Sequence, residues 1–268
     1  MGSNLAFANP YNKPIGIQLF TVRDLMAKDP EGTLKKLAEI GYKEFEADAD
    51  TIFKLHPLLK QLGLQAPSTH YRHNQVKADW EKEVERAKAA DVKYMVDAYI
   101  DGSDRKNLAD LKKIVELFHQ AGEQCHKAGI QFCYHNHNFE FRKVDGEVMY
   151  DFLLRETDPK LVKFELDCGW ITRAGYDPAE YMHKYPGRFP LLHIKDIKAG
   201  LPPATSGASN ANGAIFAELG RGVVNWKSVF AAAKKGGLKH YFVEEDECDV
   251  PVLEAVKINY DYLHNLKL

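Results

Sequence analysis

Three successive segments that have the pattern of β-strands end in side chains able to bind a divalent metal ion. These side chains are Asp167, His193 and Glu244, at the ends of residues 164–167, 191–193 and 242–244. Taken singly, such a residue more often caps a helix or forms an ion pair. If the strand ends converge, however, the packed carboxylates repel one another without a cation, so their joint occurrence favours a metal. Oxygen-rich ligation with one imidazole suits Mn²⁺ best, with Mg²⁺, Co²⁺ and Zn²⁺ as alternatives.

A fourth strand end, residues 134–140 (YHNHNFE), has the densest set of polar side chains. His135 and His137 lie two residues apart and therefore share one face of a strand. Either can carry a proton near neutral pH, and one of them can instead be structural, bonded to a loop carbonyl. Weaker signals come from polar groups at other strand ends: Gln18, Glu46, His70 and Asp97.

The elements that would position these side chains repeat along the chain. A short β-branched or aromatic run, a polar loop and an amphipathic helical stretch recur from residue 15 onward, which predicts parallel strands. The predicted strands are residues 15–22, 44–48, 65–71, 92–100, 130–137, 162–168, 190–197 and 240–244. Eight such units in 268 residues predict an α/β fold, a (β/α)₈ TIM barrel, whose chemistry takes place at the C-terminal strand ends.

The repeat also predicts the domain organisation. We expect one barrel domain over residues 15–268, preceded by an N-terminal tail over residues 1–14. Residues 199–222 include a stretch rich in Gly, Ser, Pro and Ala. Because the strand-helix pattern resumes after it, we predict a long functional or mobile loop there rather than a linker between domains.

Composition excludes several classes of protein. The 36 Lys and Arg residues nearly balance 38 Asp and Glu residues, so the formal net charge of −2 gives no sign of the basic excess that nucleic-acid binding needs. The sequence contains no run of 18 apolar residues, so it predicts no membrane-spanning helix. Ala6-Phe7-Ala8 resembles the end of a signal peptide without the basic and apolar regions that should precede it. The expected compartment is therefore either the cytoplasm or, after export, an extracytoplasmic one.

Five segments carry a family resemblance that extends from about residue 15 to the C-terminus. They are residues 16–23 (GIQLFTVR), 135–141 (HNHNFEF), 165–167 (ELD) followed by Trp170, 186–196 (PGRFPLLHIKD) and 243–246 (VEED). Together they resemble the xylose isomerase-like TIM barrels, the sugar phosphate isomerase/epimerase family. The same superfamily includes inosose dehydratase and the endonuclease IV fold.

The resemblance implies a set of site residues. The metal ligands carried over from strands five to eight are Glu140, Asp167, His193 and Glu244. Related ketose epimerases have the strand-five glutamate earlier, where this chain has Tyr134 or His135, so either Glu140 reaches back to the metal or a histidine replaces it. Trp170 stands where a ketose-binding histidine is typical. The residues expected to bind substrate are Gln18, His70, Trp170 and Lys195.

The resemblance further implies a divalent-metal-dependent sugar or sugar phosphate isomerase or epimerase. In this hypothesis the metal polarises a carbonyl, a carboxylate removes the proton on the neighbouring carbon, and the metal-bound enediolate is reprotonated. Glu140 and Glu244 are the expected acid/base pair. The same enediolate can instead expel a β-substituent, which describes a lyase or dehydratase acting on a keto-inositol or a 3-keto-glycoside, with His135 or His137 as the proton shuttle.

Two hypotheses from other classes have less support. An endonuclease IV-type nuclease should have many histidine ligands and a basic surface, and this chain has near-neutral charge and one clear strand-seven histidine. A non-catalytic sugar-binding barrel would tolerate loss of the metal-binding set, which this chain retains. The expected partner is a small carbohydrate, with neither nucleic acid nor membrane, and homo-oligomer formation is left open.

Overall fold

The computed structural model describes residues 11–206 and 215–268. Ala6-Phe7-Ala8, most of the predicted tail and the middle of the predicted loop over residues 199–222 lie outside the described residues.

Eight parallel strands form a single barrel. They are β1 (Gly16–Gln18), β2 (Glu44–Glu46), β3 (Ser68–Tyr71), β4 (Tyr94–Asp97), β5 (Gln131–His135), β6 (Val162–Asp167), β7 (Leu191–Ile194) and β8 (His240–Val243). The paired order runs from β2 through β1, β8, β7, β6, β5 and β4 to β3. Isolated parallel bridges from Glu44 to Gln65 and from Asp48 to His70 link β2 to the β3 side. The predicted (β/α)₈ barrel is confirmed as a single domain.

The described residues form eleven α-helices, of which Arg23–Met26, His73–Lys77 and Cys168–Arg173 are short and the other eight follow the strands along the chain. These eight are α1 (Pro30–Ile40), α2 (Ala49–Gln61), α3 (Trp80–Ala89), α4 (Leu108–Lys127), α5 (Met149–Glu156), α6 (Pro178–Lys184), α7 (Trp226–Gly236) and α8 (Val252–Asn265). Six of these begin after an Asp or Asn whose side chain accepts a hydrogen bond from a first-turn backbone N–H. Within the described ranges, no helix has the length and apolar character needed to cross a membrane.

Most strands are a few residues shorter than predicted, and two differ from the sequence prediction in the path that the chain takes. The predicted strand over residues 15–22 ends at Gln18, because the Gln18 side-chain oxygen accepts a hydrogen bond from Phe20 N (3.3 Å) and the chain turns into a short 3₁₀ helix, Leu19–Val22. The predicted strand over residues 190–197 is divided. β7 ends at Ile194, and Asp196–Ile197 pairs in antiparallel fashion with Phe216–Ala217. The predicted loop over residues 199–222 therefore contains a short strand anchored beside the barrel.

The buried carboxylate of Asp196 organises this anchor. It accepts hydrogen bonds from the backbone N–H groups of Ile197 (2.9 Å), Gly220 (3.0 Å) and Val224 (3.0 Å) and from Trp226 Nε1 (3.0 Å). Four donors compensate the burial of one charged group, so this acidic residue is a structural element of the fold.

The inside of the barrel changes from apolar to polar toward the C-terminal strand ends. Val96, Cys133, Leu191 and Phe242 form a buried apolar cluster. Side chains two residues further along a strand face the same side, and two residues after Cys133, Leu191 and Phe242 stand His135, His193 and Glu244. Polar side chains are thereby placed directly above an apolar layer. The larger apolar core, with Phe118, Phe132 and Trp226 among its members, forms a separate cluster.

Candidate metal centre and cavity

Strand periodicity brings eight polar side chains to the C-terminal end of the barrel. In β6, Glu165 and Asp167 alternate with Leu166, so both carboxylates face the interior. The full set is Gln18, Glu46, His70, His135, Glu165, Asp167, His193 and Glu244. All are buried except His70, which is partly exposed.

One part of this set, which we call the mouth group, consists of Asp167, His193 and Glu244. Their candidate ligand atoms all lie within 4.8 Å of one another. His193 Nδ1 is 2.9 Å from Glu244 Oε2 and 3.8 Å from Asp167 Oδ2. These are the strand-six, strand-seven and strand-eight residues in which the sequence predicts metal ligands.

A second part, the inner group, lies on the other side of the His193 ring. It consists of His70, His135, Glu165 and His193, again with ligand atoms within 4.8 Å of one another. Glu165 Oε2 is 2.7 Å from His70 Nε2, 3.1 Å from His135 Nδ1 and 3.3 Å from His193 Nε2. Glu46 supports this group, since its Oε2 atom lies 2.7 Å from His193 Nε2 and accepts a hydrogen bond from Gln18 Nε2 (3.1 Å).

Lys195 adds a buried positive charge beside the mouth group. Its Nζ lies 2.7 Å from Glu244 Oε2, 3.1 Å from Asp246 Oδ1 and 3.4 Å from Asp167 Oδ2. Burial opposes the charged form, but the three carboxylates outweigh it and raise the pKa of Lys195. The same ammonium lies over the Trp170 ring, 5.5 Å from its centroid. Lys195 is therefore a fixed cation at the edge of the site.

Buried carboxylate oxygens without donors make the site suitable for a cation. Within residues 11–206 and 215–268, Glu46 Oε1, Glu165 Oε1 and Asp167 Oδ2 accept no hydrogen bond, and the nearest cation to Asp167 Oδ2 is Lys195 Nζ at 3.4 Å. Burial raises the pKa of Asp167 to about 6, and burial together with the Glu46 charge raises the pKa of Glu165 to about 7. A divalent ion would satisfy such oxygens and stabilise their ionised form. The residues present thus fit a divalent metal ion.

Neutral imidazoles line the same region. Burial lowers the pKa of His135 well below its ordinary value and lowers the pKa of His137 to about 3. Both side chains are therefore uncharged at pH 7. His137 Nδ1 is buried and has no hydrogen-bond partner among the described residues, and its ring stacks on Phe139 at 5.6 Å between centroids. Such a nitrogen can accept or donate a proton without a preceding ion pair having to break.

A cavity of about 730 Å³ opens onto these groups. Phe20 and Tyr99 line it and are 49% and 40% exposed, respectively, so aromatic surface is available to a ligand. The predicted site residues that line it are Gln18, His70, His135, His137, Trp170, Lys195 and Glu244. A partly apolar cavity with convergent polar groups has the general form of a small-molecule site.

Glu140 lies away from both groups. Its buried carboxylate accepts hydrogen bonds from the Tyr134 hydroxyl and from the backbone N–H of His137 (3.0 Å). Burial raises the pKa of Glu140 to about 8. It belongs to neither group and does not line the cavity. Its predicted roles as ligand and catalyst therefore remain predictions, and the contact that the structure gives it is with the loop that carries His137.

Sequence reasoning missed three acidic residues near the site. Glu165 and Asp246 stand in segments that carry the family resemblance but have no predicted role, and Glu46 is only a weak polar signal at a strand end. The signal for two of them is periodicity, since Glu165 lies two residues before Asp167 and Asp246 two residues after Glu244.

Comparison with known proteins identifies the family of the chain. The sequence profile of the family described as xylose isomerase-like TIM barrel matches residues 17–266. An inosose dehydratase of Geobacillus thermodenitrificans is 28% identical over 213 residues, which are 77% of this chain and 65% of that protein. The chain thus spans slightly less than two thirds of that relative's length.

Solved structures give the same fold. A sugar phosphate isomerase/epimerase from Parabacteroides distasonis has a TM-score of 0.78 and 27% identity, covering 94% of each chain. The IOLI protein, solved with a bound zinc atom, has a TM-score of 0.75 at 13% identity, covering 94% of this chain and 98% of that one. At the latter identity the likeness concerns the fold alone.

Proposed function

The chain belongs to the xylose isomerase-like TIM barrel family, and we propose that it is a divalent-metal-dependent isomerase or epimerase acting on a small sugar or sugar phosphate. The observation that carries this proposal is the mouth group. Asp167 and His193 are buried in it, and Glu244 also lines a cavity large enough for a carbohydrate.

The residues that would hold the metal are Asp167, His193 through Nδ1, and Glu244. Glu140 is left out of this set because Tyr134 and His137 engage its carboxylate. Oxygen-rich ligation favours Mn²⁺, with Mg²⁺, Co²⁺ and Zn²⁺ as alternatives. A divalent ion at this position supplies the positive charge that polarises a sugar carbonyl and acidifies the neighbouring C–H group.

The chain's own groups would then move the proton. We assign this role to His137 and His135, because both line the cavity and lie next to each other, with ring centroids 5.0 Å apart, and because His137 Nδ1 has no hydrogen-bond partner among the described residues. Glu244 is a less suitable base, since its carboxylate is held by Lys195 (2.7 Å) and His193 (2.9 Å) and is already assigned to the metal. Lys195 would orient a sugar oxygen.

A solvent-exchange experiment tests this proposal. Candidate ketoses, ketose phosphates and 3-keto-glycosides are incubated with the Mn²⁺-loaded protein in D₂O, and carbon-bound deuterium is followed by NMR. We expect deuterium at the carbon next to the carbonyl, and a loss of the rate of about 10²-fold or more in His137→Gln if that imidazole carries the proton. Absence of exchange with every compound would contradict proton transfer at carbon and point to a binding role.

Elimination is the second candidate reaction. It is favoured by the inosose dehydratase relative and by His137, whose unpartnered Nδ1 could take the proton from the substrate carbon and pass that same proton to the departing hydroxyl or alkoxide. In the same D₂O experiment, elimination would show as loss of water or of an aglycone together with an unsaturated ketone. Isomerisation would keep the mass of the substrate apart from the deuterium.

A further inference from the structure

We propose that the inner group is a second, zinc-selective metal position that competes with the mouth group for His193. Its ligands are His70 Nε2, His135 Nδ1, His193 Nε2 and one oxygen of Glu165. The inference goes beyond the proposed function, which places its metal ion on the other side of the His193 ring.

The first argument is the spacing of the donor atoms. In a tetrahedral zinc site with bonds of about 2.0–2.1 Å, neighbouring ligand atoms stand about 3.3 Å apart. Here Glu165 Oε2 is 2.7, 3.1 and 3.3 Å from the nearest nitrogen of His70, His135 and His193, respectively. Small side-chain movements would therefore bring four donors around one ion.

The second argument is that this group contains a buried carboxylate oxygen without a hydrogen-bond partner. Glu165 is fully buried, and its Oε1 has no hydrogen-bond partner within the described part of the chain. The other oxygen has three imidazole nitrogens within 3.3 Å. Three imidazoles and one carboxylate are a borderline-soft donor set of the kind that binds Zn²⁺ and, in its place, Co²⁺.

The third argument is that supporting contacts are already in place. Glu46 Oε2 lies 2.7 Å from His193 Nε2 and 3.2 Å from His70 Nε2, and Gln18 donates to the same oxygen. His193 Nε2 and His70 Nε2 are the same two nitrogens that would bind the ion, so Glu46 places a second carboxylate next to the zinc position, where its negative charge favours a divalent cation.

The shared ring makes the two positions exclusive. A neutral imidazole has one nitrogen lone pair, so His193 serves either the inner group through Nε2 or the mouth group through Nδ1. Zn²⁺ in the inner group would therefore withdraw a ligand from the mouth group. We infer that each chain binds one ion, that Zn²⁺ selects the inner group and that Mn²⁺ selects the mouth group.

Paired variants separate the two positions. Binding of Zn²⁺ and of Mn²⁺ to metal-free protein is measured by chelator competition for the wild type, His70→Gln, Glu165→Gln and Asp167→Asn, with folding checked by circular dichroism. We expect His70→Gln and Glu165→Gln to weaken Zn²⁺ binding about 10-fold to 100-fold with little change for Mn²⁺, and Asp167→Asn to do the reverse. Co²⁺ should give the intense visible absorption of a tetrahedral site, and His70→Gln should abolish it.

Other results would be equally informative. If Asp167→Asn weakens the binding of both Zn²⁺ and Mn²⁺ and His70→Gln weakens neither, the inner position is wrong. The metal site of the proposed function is then supported. If His70→Gln weakens both and Asp167→Asn neither, the inner position is supported and the mouth assignment fails. Two zinc ions per chain would overturn the competition, and absence of zinc binding would overturn the site.

Discussion

Glu244 and His193, 51 residues apart in the chain, meet at the barrel mouth with 2.9 Å between Glu244 Oε2 and His193 Nδ1. β8 and β7 are neighbours, and Phe242 is paired with His193 in their register. Glu244 comes two residues after Phe242 and therefore lies close enough to His193 and Asp167 for all three side chains to bind one metal ion.

This relationship predicts which carboxylates control metal affinity. Asp167→Asn and Glu244→Gln should lower Mn²⁺ affinity by about tenfold or more, because the amides retain the shape but lose the charge. Glu140→Gln is the matched control and should leave affinity nearly unchanged, since its carboxylate is bound to Tyr134 and His137. Isothermal titration measures all three. A comparable loss in Glu140→Gln would mean that Glu140 reaches the metal.

Glu140 should also make the stability of the protein depend on pH. Its folded-state pKa of about 8 lies above its unfolded value of about 4.3. Between these values the folded state binds one proton more, so its contribution to the free energy of unfolding is present at low pH and is lost as pH rises toward 8. Glu140→Gln removes this dependence. Relative to the wild type, the variant should gain stability across this pH range, by up to about 5 kcal/mol at the upper end.

Urea unfolding at several pH values measures that difference. Comparing variant with wild type cancels the titration of all other groups. A difference that is constant between pH 5 and 8 would contradict a protonated Glu140 in the folded protein.

Asp196 should contribute strongly to stability. In Asp196→Asn an amide NH₂ replaces one of two oxygens that each accept two N–H groups, so at least two buried donors lose their acceptor. We expect a loss of about 3 kcal/mol in the free energy of unfolding, with a change in the fluorescence of Trp226. Asp249→Asn is the control, because its ion pair with Lys198 is exposed and should be worth less than about 1 kcal/mol. Equal small effects would show that the anchor is dispensable.

The barrel could be predicted because each unit of its repeat is local. A strand pattern, a capping residue such as Asp48 or Asn107 and an apolar helix face all lie within about 30 residues. The division of the seventh strand could not be predicted, because the partners of Asp196 are Gly220 and Trp226, more than 20 residues away. The early end of β1 depends on the Gln18 side chain, whose rotamer a sequence pattern does not specify.

Part of the candidate site could be predicted from the sequence in the same way. Asp167, His193 and Glu244 follow from the rule that barrel chemistry lies at strand ends. Glu165 is harder to recognise because it lies one layer lower, where most barrels have apolar side chains. The single strand-seven histidine expected from the sequence is joined by two others, since the structure gathers His70, His135 and His193 around the Glu165 carboxylate.

The pairing of β1 with β8 has a consequence for biosynthesis. Gly16 pairs with Phe242 and Ile17 with Val243. During synthesis, β1 therefore lacks this partner until more than 220 further residues have been added. Until that partner emerges, the nascent sheet presents an open edge of the kind that recruits other chains. Premature termination before residue 240 would leave that edge of β1 without its partner.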